Sequence, residues 1–479
     1  MSNSESAAGL PVAETAADDY FAQRQLKSGA VGWLLLVGLG VAYVISGDFA
    51  GWNFGLAQGG WGGMFIATVV VAFMYLCMCL CMSEMSTMLP TAGGGYSFAR
   101  TAFGPMGGYL TGTAILIEYA IAPAAIACFI GAYCESLFGM GGWIIYLVCY
   151  LVFMGIHLKG AGEALKIMFG ITAVAAMALM VFIFAMLPAF DSANLFDIAV
   201  KADAAGASSF LPMGYLGIWA AVPYAIWFFL AVEGVPLAAE EAKEPHKSLP
   251  RGLIGSMLIL AFFALSILFL GPGAAGAEAL KASGAPLVDA LKAVYGANTW
   301  LAGFVNFVGL AGLIASFFSI IYAYSRQIFA LSRAGYLPKS MSLTNKNHAP
   351  HLAIIIPGII GFLMSLSGEG DLLILMAVFG ATISYVLMML SYIKLKTSKA
   401  NLPRPYQAQG GIVTAYIALI LAAIAVVAGF VVDPKVWLTA AAIYAAFILY
   451  FLLYSRYHLV AGTPEEEFAN IQHAEQELK

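Results

Sequence analysis

The chain has 479 residues, of which 62% are apolar and only 10% charged, and its formal net charge is −4. Soluble domains carry about 25% charged residues, so the composition excludes a soluble enzyme or a nucleic-acid-binding module. It points to an all-α integral membrane protein whose charges are divided among loops.

Residues 1–27, "MSNSESAAGLPVAETAADDYFAQRQLK", are polar and acidic. No basic stretch leads a short apolar core there, so they read as a cytoplasmic tail and not as a cleaved signal peptide. A spanning helix needs about 20 mostly apolar residues. Twelve such runs are expected, near 30–56, 61–82, 109–133, 141–158, 165–187, 214–238, 251–272, 299–331, 351–367, 371–394, 411–432 and 436–456; we call them spans 1 to 12. With both termini in the cytoplasm, Lys201, Lys281, Lys292 and Lys435 fall outside, and the other 18 of the 22 basic residues fall inside or near inner helix ends. That bias is the positive-inside rule, which suits a plasma (inner) membrane. Asp191, Asp197, Glu369, Asp371 and Asp433 read as solvated charges of outer loops.

Span 1 carries an anomaly, Ile45-Ser46-Gly47-Asp48-Phe49-Ala50-Gly51-Trp52. A charge in hydrocarbon costs about 2.5–3.5 kcal/mol on insertion scales, and glycines weaken a helix. Asp48 therefore either pairs with a cation in an aqueous cavity or caps the outer half of a broken helix through its amides. In span 2, "CMCLC" places Cys77 and Cys81 on one helical face and Cys79 elsewhere. With Cys128, Cys134 and Cys149 also in apolar segments and no metal-ligand set, the six cysteines read as small hydrophobes. No cofactor is expected.

The connector 90–112, "PTAGGGYSFARTAFGPMGGYLTG", is rich in glycine and holds one arginine, which suggests a close-packed link. Glu118 follows about nine residues into span 3, roughly 13 Å along it at 1.5 Å per residue, hence near mid-membrane. An intramembrane carboxylate recognises substrate, carries a proton or ties helices together. Span 5 has a single cation, Lys166, near its inner end. Span 6 is interrupted by "FLAVEGVP" (229–236), which holds Leu230 and Glu233, with Trp227 just before it. Span 8 holds Ser316 and Ser319, hydroxyls that can back-bond to the preceding turn or face an ion. The terminal residues 457–479 are expected to be cytoplasmic, ending in a short solvated helix.

Three segments carry a resemblance. Pro90, Gly93, Gly94 and Tyr96 enter span 3; Glu241, Lys243, Pro245, Pro250 and Arg251 follow span 6; and Ser325, Arg326, Leu331, Arg333, Gly335 and Pro338 end span 8. In these segments the chain resembles the amino acid–polyamine–organocation transporter superfamily, and "VAYVISGDFAGWNFGLAQGGWGG" is similar to its ethanolamine permease branch. The resemblance implies a leucine-transporter-type fold of 12 transmembrane helices, with inverted repeats over 28–190 (helices 1–5) and 211–397 (helices 6–10), and peripheral helices 11 and 12 over 410–456. Helices 1 and 6 would be broken at the bilayer midplane. Glycine- or proline-interrupted segments in corresponding halves support that independently.

The resemblance also implies a site. In relatives the amides of a Gly-Ser-Gly break receive a substrate carboxylate. Here Ser46 and Gly47 are kept, while Ile45 adds bulk and Asp48 adds a like charge. Both changes disfavour a carboxylate and suit a small ammonium. Glu118 and Tyr119 would line the cavity from helix 3. Trp227 matches a gating aromatic, which adds about 0.5–2 kcal/mol of cation–π attraction to an ammonium, and Ala231 replaces a glycine four residues later. Leu230 would face the substrate, and Glu233 matches an acidic position that steadies the unwound backbone. Glu118, Ser316 and Ser319 are the candidate ion-coupling residues, for a proton or sodium ion, because the lysine that many relatives carry in mid-helix 5 is missing.

The resulting expectation is a secondary transporter importing ethanolamine by alternating access. The alternatives are a neutral or cationic amino acid permease, which needs the Ser46 and Gly47 amides free for a carboxylate, and a membrane amine sensor, for which the tails are short. An enzyme is not expected: no HExxH or GxSxG occurs, and the histidines lie at helix ends, in loops or in the tail.

Overall fold

The computed structural model describes residues 31–296 and 299–460, side chains excepted at 161–166. The expectations for both tails, and for the Lys166 side chain, lie outside the described residues. The helices are α1 Trp33–Val44, α2 Ser46–Phe49, α3 Phe54–Met88, α4 Gly95–Phe138, α5 Trp143–Leu158, α6 Ala161–Met186, α7 Gly214–Trp227 and α8 Pro245–Ala275. After them come α9 Ala277–Leu280, α10 Pro286–Tyr295, α11 Trp300–Arg333, α12 His351–Ser365, α13 Gly370–Ser398, α14 Gly411–Val432 and α15 Pro434–Leu453. A ten-residue 3₁₀ segment, Val232–Glu241, follows α7. Among the described residues there is no strand, only one isolated bridge between Val31 and Ala242.

Nine helical stretches among the described residues are long and apolar enough to cross a membrane. Three expected spans, the first, fourth and ninth, form shorter apolar helices: α1, α5 and α12. Burial sorts centre from rim. The most apolar window of α4 is 94% buried, while those of α14 and α15 are 33% and 17% buried. The α4 helix is thus the axis of the bundle, and α14 and α15 present apolar side chains outward, as lipid requires.

The departures from the expected spans have local causes. Residues 30–56 do not form one helix. The α1–α2 stretch bends at Ile45 and stops at Ala50, whose backbone is extended, and Gly51 takes φ +97°. Only glycine enters that region without a steric cost. The connector expected at 90–112 is mostly helix. The α4 helix starts at Gly95 and kinks at Gly104 (φ +76°) before Pro105, so the glycine supplies the bend and the proline starts the next helical turn.

Packing at the centre depends on missing side chains. A Cβ on Gly380 of α13 would lie 2.5 Å from the Ala114 carbonyl oxygen and 2.8 Å from the Glu118 nitrogen of α4. The two helices therefore touch through backbone at the level of Glu118. On α11, Gly309 and Gly312 make room for the ring of Phe49.

Candidate transport site

A broken helix in a water-poor interior leaves amides and carbonyls without partners, and each must be satisfied elsewhere. Around the break after α1 side chains do this. Ser316 Oγ of α11 donates to the Ala42 carbonyl at 2.6 Å and accepts from the Ser46 amide at 3.0 Å. Tyr133 donates to the Phe49 carbonyl at 2.9 Å, and Trp227 Nε1 donates to the Ala50 carbonyl at 3.0 Å. Asn53 accepts from the Gly51 amide at 3.1 Å and donates to the Leu280 and Ser283 carbonyls, both at 2.8 Å. The break is held on every side.

The second break faces the first. The α7 helix ends at Trp227, and Ala231 takes φ +77° before the 3₁₀ segment begins. This left-handed position is the one where the resemblance expects glycine; an L-residue there costs about 1–2 kcal/mol. A Cβ on Gly47 would lie 2.4 Å from the Trp227 carbonyl oxygen, so the two interrupted segments cross in backbone contact. Beside the crossing lie about 170 Å³ of interstitial space, lined by Tyr43, Val44, Ser46, Ile126, Trp227, Leu230 and Ile320 and too finely divided to admit a water molecule. Larger apolar grooves of about 410 and 560 Å³ lie near the bundle surface between α3, α7 and α14, and between α7 and α14. They bring no charged side chain to bear and stand apart from both breaks.

The cavity brings together three of the residues expected from sequence: Ser46, Trp227 and Leu230. Gly47 sits at the crossing itself. Glu118, Tyr119 and Glu233 form a neighbouring cluster. Tyr119 donates to Glu233 Oε1 at 3.4 Å, and Glu118 is an electrostatic neighbour of Glu233. Tyr75 and Tyr385 share a 2.6 Å hydrogen bond beside this pair.

Asp48 is set apart. It is fully buried, neither of its oxygens has a hydrogen-bond partner, and it is not among the residues lining the cavity. It makes no capping bond, so the capping role expected as an alternative is not formed; the Gly51 amide of the turn is taken by Asn53. The two serines of α11 divide. Ser319 back-bonds to the Ala315 and Ser316 carbonyls at 2.8 and 3.0 Å, whereas Ser316 bridges to the first break.

Sequence reasoning missed Tyr43, Ile126 and Ile320 in the cavity and Tyr75 and Tyr385 beside the carboxylates. Tyr43 had a usable signal, being a tyrosine two residues before the break at Ile45. The isoleucines had none, since apolar residues in an apolar span look alike.

The bundle end that carries the basic loops is closed by the segments that carried the resemblance. Glu241 accepts from Arg326 at 2.9 Å and from Tyr322, and the Arg326 guanidinium lies 3.7 Å over the Tyr322 ring. Glu240 pairs with Arg333 at 2.8 Å and accepts the Ala92 amide of the glycine-rich connector at 2.9 Å. Val31, at the start of the described chain, pairs through its backbone with Glu241 and Lys243.

This chain is similar to several membrane transporters. It is 28% identical over 361 residues to an uncharacterized transporter of Rhizobium meliloti, covering 73% of this chain and 75% of that one. It is 26% identical over 451 residues to a branched-chain amino acid permease of Bacillus subtilis, covering 89% and 92%. It is 25% identical over 473 residues to a lysine-specific permease of Lactococcus lactis, covering 91% and 89%. The substrates named for the last two are amino acids, not ethanolamine. The family and these relatives are transporters and not enzymes. The amino acid permease family model matches residues 31–453, nearly the whole described chain, and the protein belongs to that family.

Proposed function

We propose that this permease moves an amino acid with an apolar side chain across the bilayer by alternating access. One observation carries the reading: four of the seven residues that line the space at the crossing of the two broken segments, Val44, Ile126, Leu230 and Ile320, are aliphatic. Such a wall, once opened to the size of a substrate, accepts an aliphatic side chain. The α-amino and carboxylate groups would lie against the broken backbone, where, among the described residues, the Leu230 amide takes no backbone acceptor. Family membership and the relatives' named substrates support an amino acid. The proposal includes twelve spans in two inverted repeats over 28–190 and 211–397, in the plasma (inner) membrane, with both termini cytoplasmic as the basic-residue bias suggests.

Asp48 favours a second reading. A buried carboxylate without a partner suits a small ammonium, and ethanolamine would bring one without a carboxylate of its own. Uptake of labelled leucine into proteoliposomes, competed by excess unlabelled valine or ethanolamine, separates the two. The amino acid reading expects block by valine and none by ethanolamine, with Asp48→Asn still transporting leucine. Uptake of labelled ethanolamine that valine does not block, and that Asp48→Asn abolishes in a folded protein, would replace it with the ethanolamine reading.

A further inference from the structure

After α15 a short 3₁₀ turn, Ser455–Tyr457, carries the chain back to the loop that follows α11. Ser455 is fully buried, and its hydroxyl donates to the Tyr336 carbonyl at 2.7 Å. The Val460 amide donates to the Ala334 carbonyl at 3.1 Å. Between these two bonds Gly335 takes φ +84°, and a Cβ on it would lie 2.2 Å from the His458 carbonyl oxygen. Residues 455–460 therefore grip three consecutive loop residues: one through a side chain, one through backbone, and one through an approach that only glycine permits.

That loop leads directly to a closure. Ala334 follows Arg333, whose guanidinium pairs with Glu240 at 2.8 Å, in the 3₁₀ segment past the second break. Tyr336, also fully buried, accepts from Arg100 at 2.8 Å and donates to the Pro105 carbonyl at 3.0 Å, just past the Gly104 kink of α4. Its ring lies 5.7 Å from that of Tyr109 and 6.2 Å from that of Phe451 in α15. These rings belong to a small apolar cluster at this end of the bundle, against which Leu459 also packs. The end of α11 is thus held by α4 on one side and by the C-terminal segment on the other. An ion pair loses part of its Coulomb gain to ordering its side chains, and these holds supply that order to Arg333 in advance.

We propose that residues 455–460 form a strap that keeps the inner closure shut by fixing the end of α11, so that this C-terminal segment sets how readily the inner face opens. The proposal rests on reading the chain as an alternating-access transporter with its basic end inside. Opening that face parts Glu240 from Arg333. With the strap seated, Arg333 stays presented to Glu240 and the pair re-forms. With the strap lifted, the 334–336 loop loses its three holds, Arg333 loses its fixed position, and the population shifts toward the open face. None of the strap residues lines the space at the crossing of the two breaks. The strap therefore biases the closure and leaves the choice of substrate to the site.

The test uses the full-length protein in nanodiscs and needs no substrate. Ser455→Ala combined with Val460→Pro removes the strap's hydroxyl and amide donors and leaves the loop unaltered. The rate at which a hydrophilic thiol reagent labels Leu230→Cys reads access to the crossing. The six native cysteines are buried, and their background is measured on each variant without Leu230→Cys. The strap variant is expected to label at least threefold faster than its parent. On a Glu240→Gln background, where Arg333 has lost its partner charge, it is expected to add nothing further. An unchanged rate overturns the proposal, as does a gain that persists on the Glu240→Gln background. If the native cysteines of the double variant also become reactive, the whole fold has loosened and Ser455→Ala alone decides. Faster labelling over an unchanged background then supports the strap, and an unchanged rate overturns it. Normal leucine uptake with unchanged labelling would sink the strap and leave the transport reading standing, whereas a parent that moves no leucine sinks the substrate reading and leaves the labelling to decide the strap.

Discussion

Gly47 shows how much one hydrogen atom decides. A methyl group there would meet the Trp227 carbonyl oxygen at 2.4 Å, and neither backbone can yield without separating the two breaks. In an ordinary helix, Gly→Ala stabilises by about 0.5–1 kcal/mol. Gly47→Ala is expected, against that gain, to lower the melting temperature and to cost at least a tenfold loss of leucine uptake. Unchanged uptake would mean that the crossing is not needed for transport. At this scale the sequence was half legible. Ser46 and Gly47 could be read because charge and glycine in a spanning run are anomalous, and anomalies need a reason; Trp227 and Leu230 were marked by the resemblance. Asp48 stood out equally, yet the structure gives it neither a cap nor a place in the cavity wall.

Between elements, the firmest tie lies away from the site. Glu84, at the end of α3, accepts from Lys396 at 2.6 Å, Arg404 at 2.6 Å, Tyr392 at 2.7 Å and the Ala408 amide at 2.8 Å. It thereby pins α13 and the link to α14 against α3. Removing one member of a buried charge network costs about 3–5 kcal/mol, because the remaining charges lose their partner. Glu84→Ala is expected to lower the melting temperature clearly, while Glu84→Gln, which keeps part of the hydrogen bonding, lowers it less; equal melting temperatures would show the network to be dispensable. Glu84 was not singled out from sequence, because its partners lie more than 300 positions along the chain. Hydropathy did locate the long helices, but not the helical connector before Gly104, where composition suggested only a close-packed link.

For the whole molecule, the crossing of the two broken segments lies between two sets of side-chain ties. Trp227 bonds to the Ala50 carbonyl on one side, and the Glu241–Arg326–Tyr322 group, with Glu240–Arg333, closes the other. The alternating access proposed above requires the two closures to open in turn. Glu241→Gln removes the charge that holds Arg326. It is expected to raise several-fold the labelling of Leu230→Cys by a membrane-impermeant thiol reagent applied from the inner face. Labelling that does not change would place the inner closure elsewhere.

What the sequence determined by itself was the class of molecule. Spanning runs, the basic-residue bias and two interrupted segments follow from what hydrocarbon permits a backbone and a charge to do, which is local chemistry. What the tertiary structure decided was company. It set Glu118 near Glu233, seated Ser316 on the first break, isolated Asp48 and walled the cavity with ordinary isoleucines. Those pairings depend on which helices cross and at what height, and the crossings are set by small residues such as Gly47, Gly312 and Gly380, whose importance is visible only once the opposing backbone is in place.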